Sequence, residues 1–132
     1  MIFYLLYFFI SPFLFLLLHI LKFFNKKIYN HISNERNTFK NVIKHLSKID
    51  RKKINVLLFH AASAGEFEQL KPILKKIDRS KYFIIQTFTS PTIYNKEYNN
   101  RLFDVCCYHP YDIIWKSFSF FSKINPKAYI VT

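Results

Sequence analysis

Residues Met1 to Leu21, MIFYLLYFFISPFLFLLLHIL, are hydrophobic almost throughout and carry no Asp, Glu, Lys or Arg. As an α-helix this run would extend roughly 31 Å, the thickness of a bilayer's hydrocarbon core. Pro12 can kink such a helix and His19 lies near its end, but neither prevents insertion. A cleaved signal peptide needs a basic start and small residues at its cleavage site, whereas this run starts without Lys or Arg and leads straight into Lys22, Phe23 and Phe24. The expectation is an uncleaved single-pass transmembrane anchor at 1–21. The competing reading, a buried helix of a soluble domain, is disfavoured because uncharged runs of about 18 residues or more are rarely that. Lys22, Lys26 and Lys27 follow the run and no basic residue precedes it, which predicts the rest of the chain on the cytoplasmic side of the membrane.

Farther along, Phe39, Val42, Ile43, Leu46 and Ile49 recur at helical spacing, with Lys40, Lys44 and Lys48 on the opposite side. Two readings stand: a basic amphipathic helix lying on anionic headgroups, or a surface helix whose apolar stripe packs on the domain. From Ile54 the period changes. Ile54 to His60 is a near-continuous apolar run suited to a parallel strand buried on both faces. Glu66 to Ile77 reads as a helix with Leu70, Ile73, Leu74 and Ile77 on one face and a distortion at Pro72. Tyr82 to Phe88, Asp104 to Tyr108 and Ala128 to Thr132 read as further strands, and Ile113 to Phe121 as a helix. This alternation predicts an α/β domain with a parallel sheet.

Composition narrows the picture. The 132 residues suffice for one domain, divided here into an anchor at 1–21, a basic juxtamembrane segment at 22–53 and an α/β domain at 54–132. Phe and Tyr number 16 and 9, which excludes a disordered chain. The formal charge is +12, and 22–53 holds ten basic and two acidic residues, so most of the excess sits beside the membrane. Anionic partners follow, with lipid headgroups first. Nucleic acid is set aside because the anchor accounts for the basic collar and no recognition module is visible. Cys106 and Cys107 are adjacent, fitting neither a disulfide framework nor a CxxC metal site, and read as small apolar strand residues.

In parallel α/β sheets the ligand site lies beyond the carboxyl ends of the strands, which directs attention to His60-Ala61-Ala62-Ser63-Ala64-Gly65-Glu66. Gly65 is the only glycine of the chain, so a tight turn or a close ligand approach is expected there. Glu66 falls in the first helical turn, where the dipole favours negative charge; it is either a helix-stabilising residue or a general base toward a hydroxyl. Ala61-x-Ser63-x-Gly65 also resembles a serine-hydrolase elbow, with Ser63 as nucleophile and His109 with Asp104 or Asp112 as partners. Against that reading, the turn follows the domain's first strand and too little chain follows it. His60 reads as a hydrogen-bonded turn residue rather than a metal ligand, Asp112 as the cap of the next helix or a substrate contact, and Phe118, Phe120 and Phe121 as core or docking surface.

The ordered set His60 to Glu66, Thr87-x-Thr89-Ser90-Pro91-Thr92, Tyr108-His109-Pro110-Tyr111-Asp112 and Ile124-Asn125-Pro126-Lys127 resembles the N-terminal half of the 3-deoxy-D-manno-octulosonic acid (Kdo) transferases, as do the anchor and the basic stretch with Glu35-Arg36. The resemblance implies the N-terminal, acceptor-binding Rossmann-like half of a GT-B-type glycosyltransferase. It implies inverting transfer of Kdo from CMP-Kdo to a lipid A precursor, without a cofactor or bound metal. It implies Glu66 as general base and Ser63, Gly65, Thr87 and Thr89 as substrate-binding positions. The family's second acidic element, E-x-E-x-W-P, would begin just past Thr132. These residues are therefore expected to lack the nucleotide-sugar domain and to be inactive alone, as a fragment, as one half of a split enzyme or as a decayed remnant. The alternatives are a non-catalytic, membrane-anchored basic binding protein or the Ser63 hydrolase.

Overall fold

The computed structural model describes residues 2–132; Met1, the first residue of the expected anchor, lies outside them. The elements are α1 (Ile2–Leu21), α2 (Lys26–Leu46), β1 (Asn55–Ala61), α3 (Ala64–Leu74), β2 (Tyr82–Phe88), α4 (Pro91–Glu97), β3 (Val105–Tyr108), α5 (Ile114–Ile124) and β4 (Ala128–Val131). One parallel sheet runs in the order β3-β2-β1-β4. The α/β expectation holds, with β1 opposite β2 from Asn55↔Tyr82 to Ala61↔Phe88.

Side chains along a strand alternate between faces, and this alternation builds two cores. Phe59, Ile84 and Cys106 pack with Phe67, Leu70 and Leu74 of α3 and Ile93 of α4. Their neighbours Leu58, Ile85 and Cys107 pack with Val42 and Leu46 of α2 and Phe120 and Ile124 of α5. Burying each such side chain contributes about 1.5–3 kcal/mol. The adjacent cysteines thus serve opposite cores as free thiols, and burial pushes the Cys106 thiol up to about 12. Val42 and Leu46 are buried, with Phe39, Ile43 and Ile49 packed beside them, so the apolar stripe of α2 is committed to the sheet and does not lie on headgroups.

Helix ends follow local chemistry. The Asn25 side chain accepts from Lys27 and Ile28 N–H groups at the start of α2. Asn125 takes a left-handed conformation (φ 45°) after α5, and Arg51 donates to the Ile124 and Asn125 carbonyls left free there. Asp112 does not cap α5. The N-cap is Ile113, which has no capping side chain, and Asp112 Oδ1 accepts from Tyr7 Oη (2.7 Å) and Ser117 Oγ (3.3 Å).

Among the described residues no single helix is long and apolar enough to cross a membrane. Leu5–Leu21 and Lys26–Leu46 meet that test only as a pair, bent by 116°. α1, the expected anchor, turns sharply into α2 and touches the domain through Tyr7, Ser11 and Phe15.

Candidate active site

The loop from β1 into α3 stands at the carboxyl end of the sheet. Ser63 is the N-cap of α3, its Oγ accepting from Glu66 N–H at 3.3 Å. Glu66 answers from three residues on, its Oε2 accepting from Ala62 N–H at 2.5 Å. This is a capping box displaced by one residue, since the usual acceptor target is the N-cap's own N–H. The box explains why the loop folds as it does: two helix-end donors are satisfied by the two side chains the sequence places three apart. Glu66 is half-buried and its Oε1 makes no hydrogen bond. Gly65 sits inside the first turn of α3 with an ordinary φ, and a Cβ built there would meet nothing within 4 Å. The expected need for a glycine in a tight turn is therefore not what the backbone shows; Gly65 leaves open space instead.

Beside this loop two histidines stack, with the His60 and His109 rings 4.4 Å apart. Thr87 Oγ donates to the Phe59 carbonyl, so it accepts from His60 Nδ1 at 3.0 Å, and the network assigns the His60 proton to Nδ1. Nε2 is then an acceptor, facing Thr89 Oγ at 3.5 Å. Burial, reinforced by the neighbouring His109, pushes His60 down to about 4, so it is neutral at pH 7. His109 is lowered by burial too; its Nδ1 faces the Pro110 carbonyl and its Nε2 faces Tyr129 Oη at 2.9 Å.

The family model described as 3-deoxy-D-manno-octulosonic-acid transferase (kdotransferase), an N-terminal glycosyltransferase domain, matches residues 33–132. The chain belongs to the Kdo transferase family. The match begins inside α2 and covers the whole sheet with α3, α4 and α5. This is a family of glycosyltransferases of lipopolysaccharide synthesis. No curated protein and no solved structure matches the chain.

In this Kdo transferase domain the structure brings Ser63, Gly65 and Glu66 together on one helix start, with His60 and Thr89 at the adjoining strand ends. Thr87 is 0% exposed and its hydroxyl is engaged by Phe59 and His60. The hydrolase constellation does not assemble. Asp104 lies at the opposite end of β3, accepting from Ile84 N–H and pairing with Arg79, while Asp112 is held by Tyr7 and Ser117. Both His109 nitrogens are occupied, which leaves Ser63 without a base. His60 is the penultimate residue of β1 rather than a turn residue, and no group of three or more His, Cys, Asp or Glu among the described residues could hold a metal ion.

Some contacts shaping this end of the sheet escaped the sequence reading. His31 is fully buried between Tyr108 and Tyr111, with Nδ1 against the Thr89 carbonyl at 2.8 Å, tying α2 to the loop after β2. Lys116 of α5 pairs with Glu35 of α2 at 3.0 Å. The i,i+4 placement of His31 and Glu35 was the available signal. A cavity of about 370 Å³ between α2 and α5 is lined by Arg36, Phe39, Trp115, Lys116 and Phe120. Two others lie between α1 and α5 and at the far end of the sheet; Glu66 lines none of the three.

Proposed function

We propose that this chain is the acceptor-binding half of a glycosyltransferase that moves Kdo from CMP-Kdo onto a hydroxyl of an anionic lipid A precursor, at the cytoplasmic face of the inner membrane. The observation that carries the reading is the half-buried Glu66 carboxylate in the first turn of α3, steadied through Oε2 on the Ala62 N–H while Oε1 makes no hydrogen bond. In this scheme Oε1 takes the acceptor's hydroxyl proton as that oxygen bonds to the anomeric carbon of Kdo. The bond from that carbon to the phosphate of CMP breaks with its electron pair, CMP leaves, and the configuration inverts. A base held within hydrogen-bond reach contributes about 10²- to 10⁴-fold.

Charge supports the anionic acceptor: Lys40 and Lys44 on α2, and Lys48 just beyond its end, stay exposed in a chain of net charge +12. Ser63 and Thr89 are the nearest hydroxyls to position the acceptor. CMP-Kdo is assigned to a second nucleotide-sugar domain, joined to this one or supplied by a separate chain. To test the reading, residues 1–132 are co-expressed with a CMP-Kdo-binding domain of the family. Glu66→Gln, which retains an oxygen for the Ala62 N–H, and Glu66→Ala are both expected to reduce transfer at least 100-fold. Transfer left unchanged by Glu66→Gln removes Glu66 as the base.

A second reading, a tethered binding protein without catalysis, is favoured by the engagement of the Glu66 carboxylate with the Ala62 N–H as a helix-end cap. It predicts binding of the anionic glycolipid that is indifferent to Glu66→Gln, with no transfer when the second domain is present.

A further inference from the structure

Helix α1 is apolar, yet the contacts it makes with the domain include two polar ones at its middle. Ser11, in a helix whose other side chains are mostly exposed, is 0% exposed, and its Oγ accepts from the Ile114 N–H at 3.2 Å. That N–H opens α5, whose own N-cap residue supplies no capping side chain, so Ser11 caps α5 from another helix. One turn earlier Tyr7 Oη donates to Asp112 at 2.7 Å. One turn later the Phe15 ring meets Trp115 at 5.7 Å and lies under the Lys116 ammonium at 5.8 Å. Tyr7, Ser11 and Phe15 recur every four residues and form one stripe. Away from it Phe9 (68% exposed), Phe13 (74%), Leu16, Leu17 and Ile20 face outward, and Phe118 of α5 is 76% exposed as well.

Position decides what this means. A 20-residue helix is roughly 30 Å long, so a span normal to the bilayer would hold Ser11 near the midplane. The partners bonded to the stripe would follow it there: Asp112, the free end of α5, and Lys116 with its partner Glu35. Charged groups at that depth are strongly disfavoured unless they face a polar interior, and here the domain brings its own water-exposed surface with them. A helix lying along the membrane surface meets no such conflict. Its outer face enters the acyl region while the docked domain stays in water, and Lys22, Lys26 and Lys27 reach anionic headgroups at its end.

We propose that α1 is monotopic: bolted to α5 through Tyr7 and Ser11, it lies in the cytoplasmic leaflet and presents its Phe9–Phe13–Ile20 face to lipid without crossing the bilayer. The proposal rests on the membrane placement given under Proposed function and replaces the single-pass geometry expected from the sequence. It also sets the domain's orientation, because α5 is held against the membrane edge by a helix that cannot turn away from it.

The test uses the full chain with Phe3→Cys, at an exposed position near the start of α1, expressed in a bacterial inner membrane. Cys106 and Cys107 are buried, and the unsubstituted chain measures their background. A membrane-impermeant maleimide is applied to spheroplasts and to inverted vesicles. Phe24→Cys, beyond α1, reports the cytoplasmic side under either geometry. Expected is protection of residue 3 in spheroplasts, with labelling in inverted vesicles or after detergent. Labelling of residue 3 in spheroplasts shows that α1 crosses, and overturns this inference while leaving membrane attachment intact. Recovery of the chain in the soluble fraction overturns the attachment itself and this inference with it.

Discussion

Oε2 of Glu66 holds the Ala62 N–H, so removing the carboxylate has a structural cost distinct from any chemical one. Glu66→Ala should lower the unfolding free energy by about 1 kcal/mol, the usual worth of such a cap, and Glu66→Gln by much less. Urea midpoints of the two variants measure the difference; equal midpoints would mean that the cap contributes nothing. At Gly65 the space for a Cβ is empty and φ is ordinary, so Gly65→Ala should stabilise α3 by about 0.5–1 kcal/mol. A rise in Tm accompanied by weaker acceptor binding would show that a ligand uses that space. His60 supplies a pH signature. Its folded pKa of about 4 lies below the ordinary 6.5, so between those values the unfolded chain binds the extra proton. The stability from neutral His60 is complete above about pH 6.5 and is lost progressively as the pH falls toward 4. His31 and His109, both lowered by burial, act in the same direction. The urea midpoint should therefore drop between pH 7 and pH 5, and the drop should be smaller in His60→Asn, which keeps a donor toward Thr87.

Elements show where local signals suffice. The strands β1, β2 and β3 were legible because a near-continuous apolar run flanked by polar residues leaves few alternatives, and α3 was legible in the helical spacing of Leu70 and Leu74, both of which are buried. Helix α4 was not. Its seven residues are too few to stand alone, and it is held by Ile93 joining the core cluster of Phe59 and Phe67, which lie far away in sequence. α5 depends on other elements at both ends, Ser11 at its start and Arg51 at its finish. Arg51→Met keeps the length and loses the three hydrogen bonds to the last carbonyls, and should cost about 1–2 kcal/mol in chemical denaturation. A cost near zero would mean that water serves those carbonyls equally well.

At the scale of the whole molecule, charge and apolar surface act together at the membrane. Deleting residues 1–21 removes the lipid-facing helix and leaves the basic collar. The shortened chain should still float with phosphatidylglycerol vesicles at low salt and detach at about 0.5 M, where screening reduces the Debye length to a few Å. The full chain should stay bound at both; salt-insensitive flotation of the shortened chain would show that the collar does not act by charge. The sequence by itself determined the parallel α/β class, the two-faced burial of its strands, the place of the basic residues and the loop that carries Glu66. All of these are repeats or spacings within a few residues, where side-chain geometry dictates the outcome. Tertiary structure alone decided that Thr87 is sealed, that Asp104 stands at the wrong end of the sheet for Ser63, that His60 meets His109, and that Ser11 closes the end of α5. Those facts join residues about 30 to 100 positions apart, and strand order and helix docking, which no local pattern encodes, determine which of them meet.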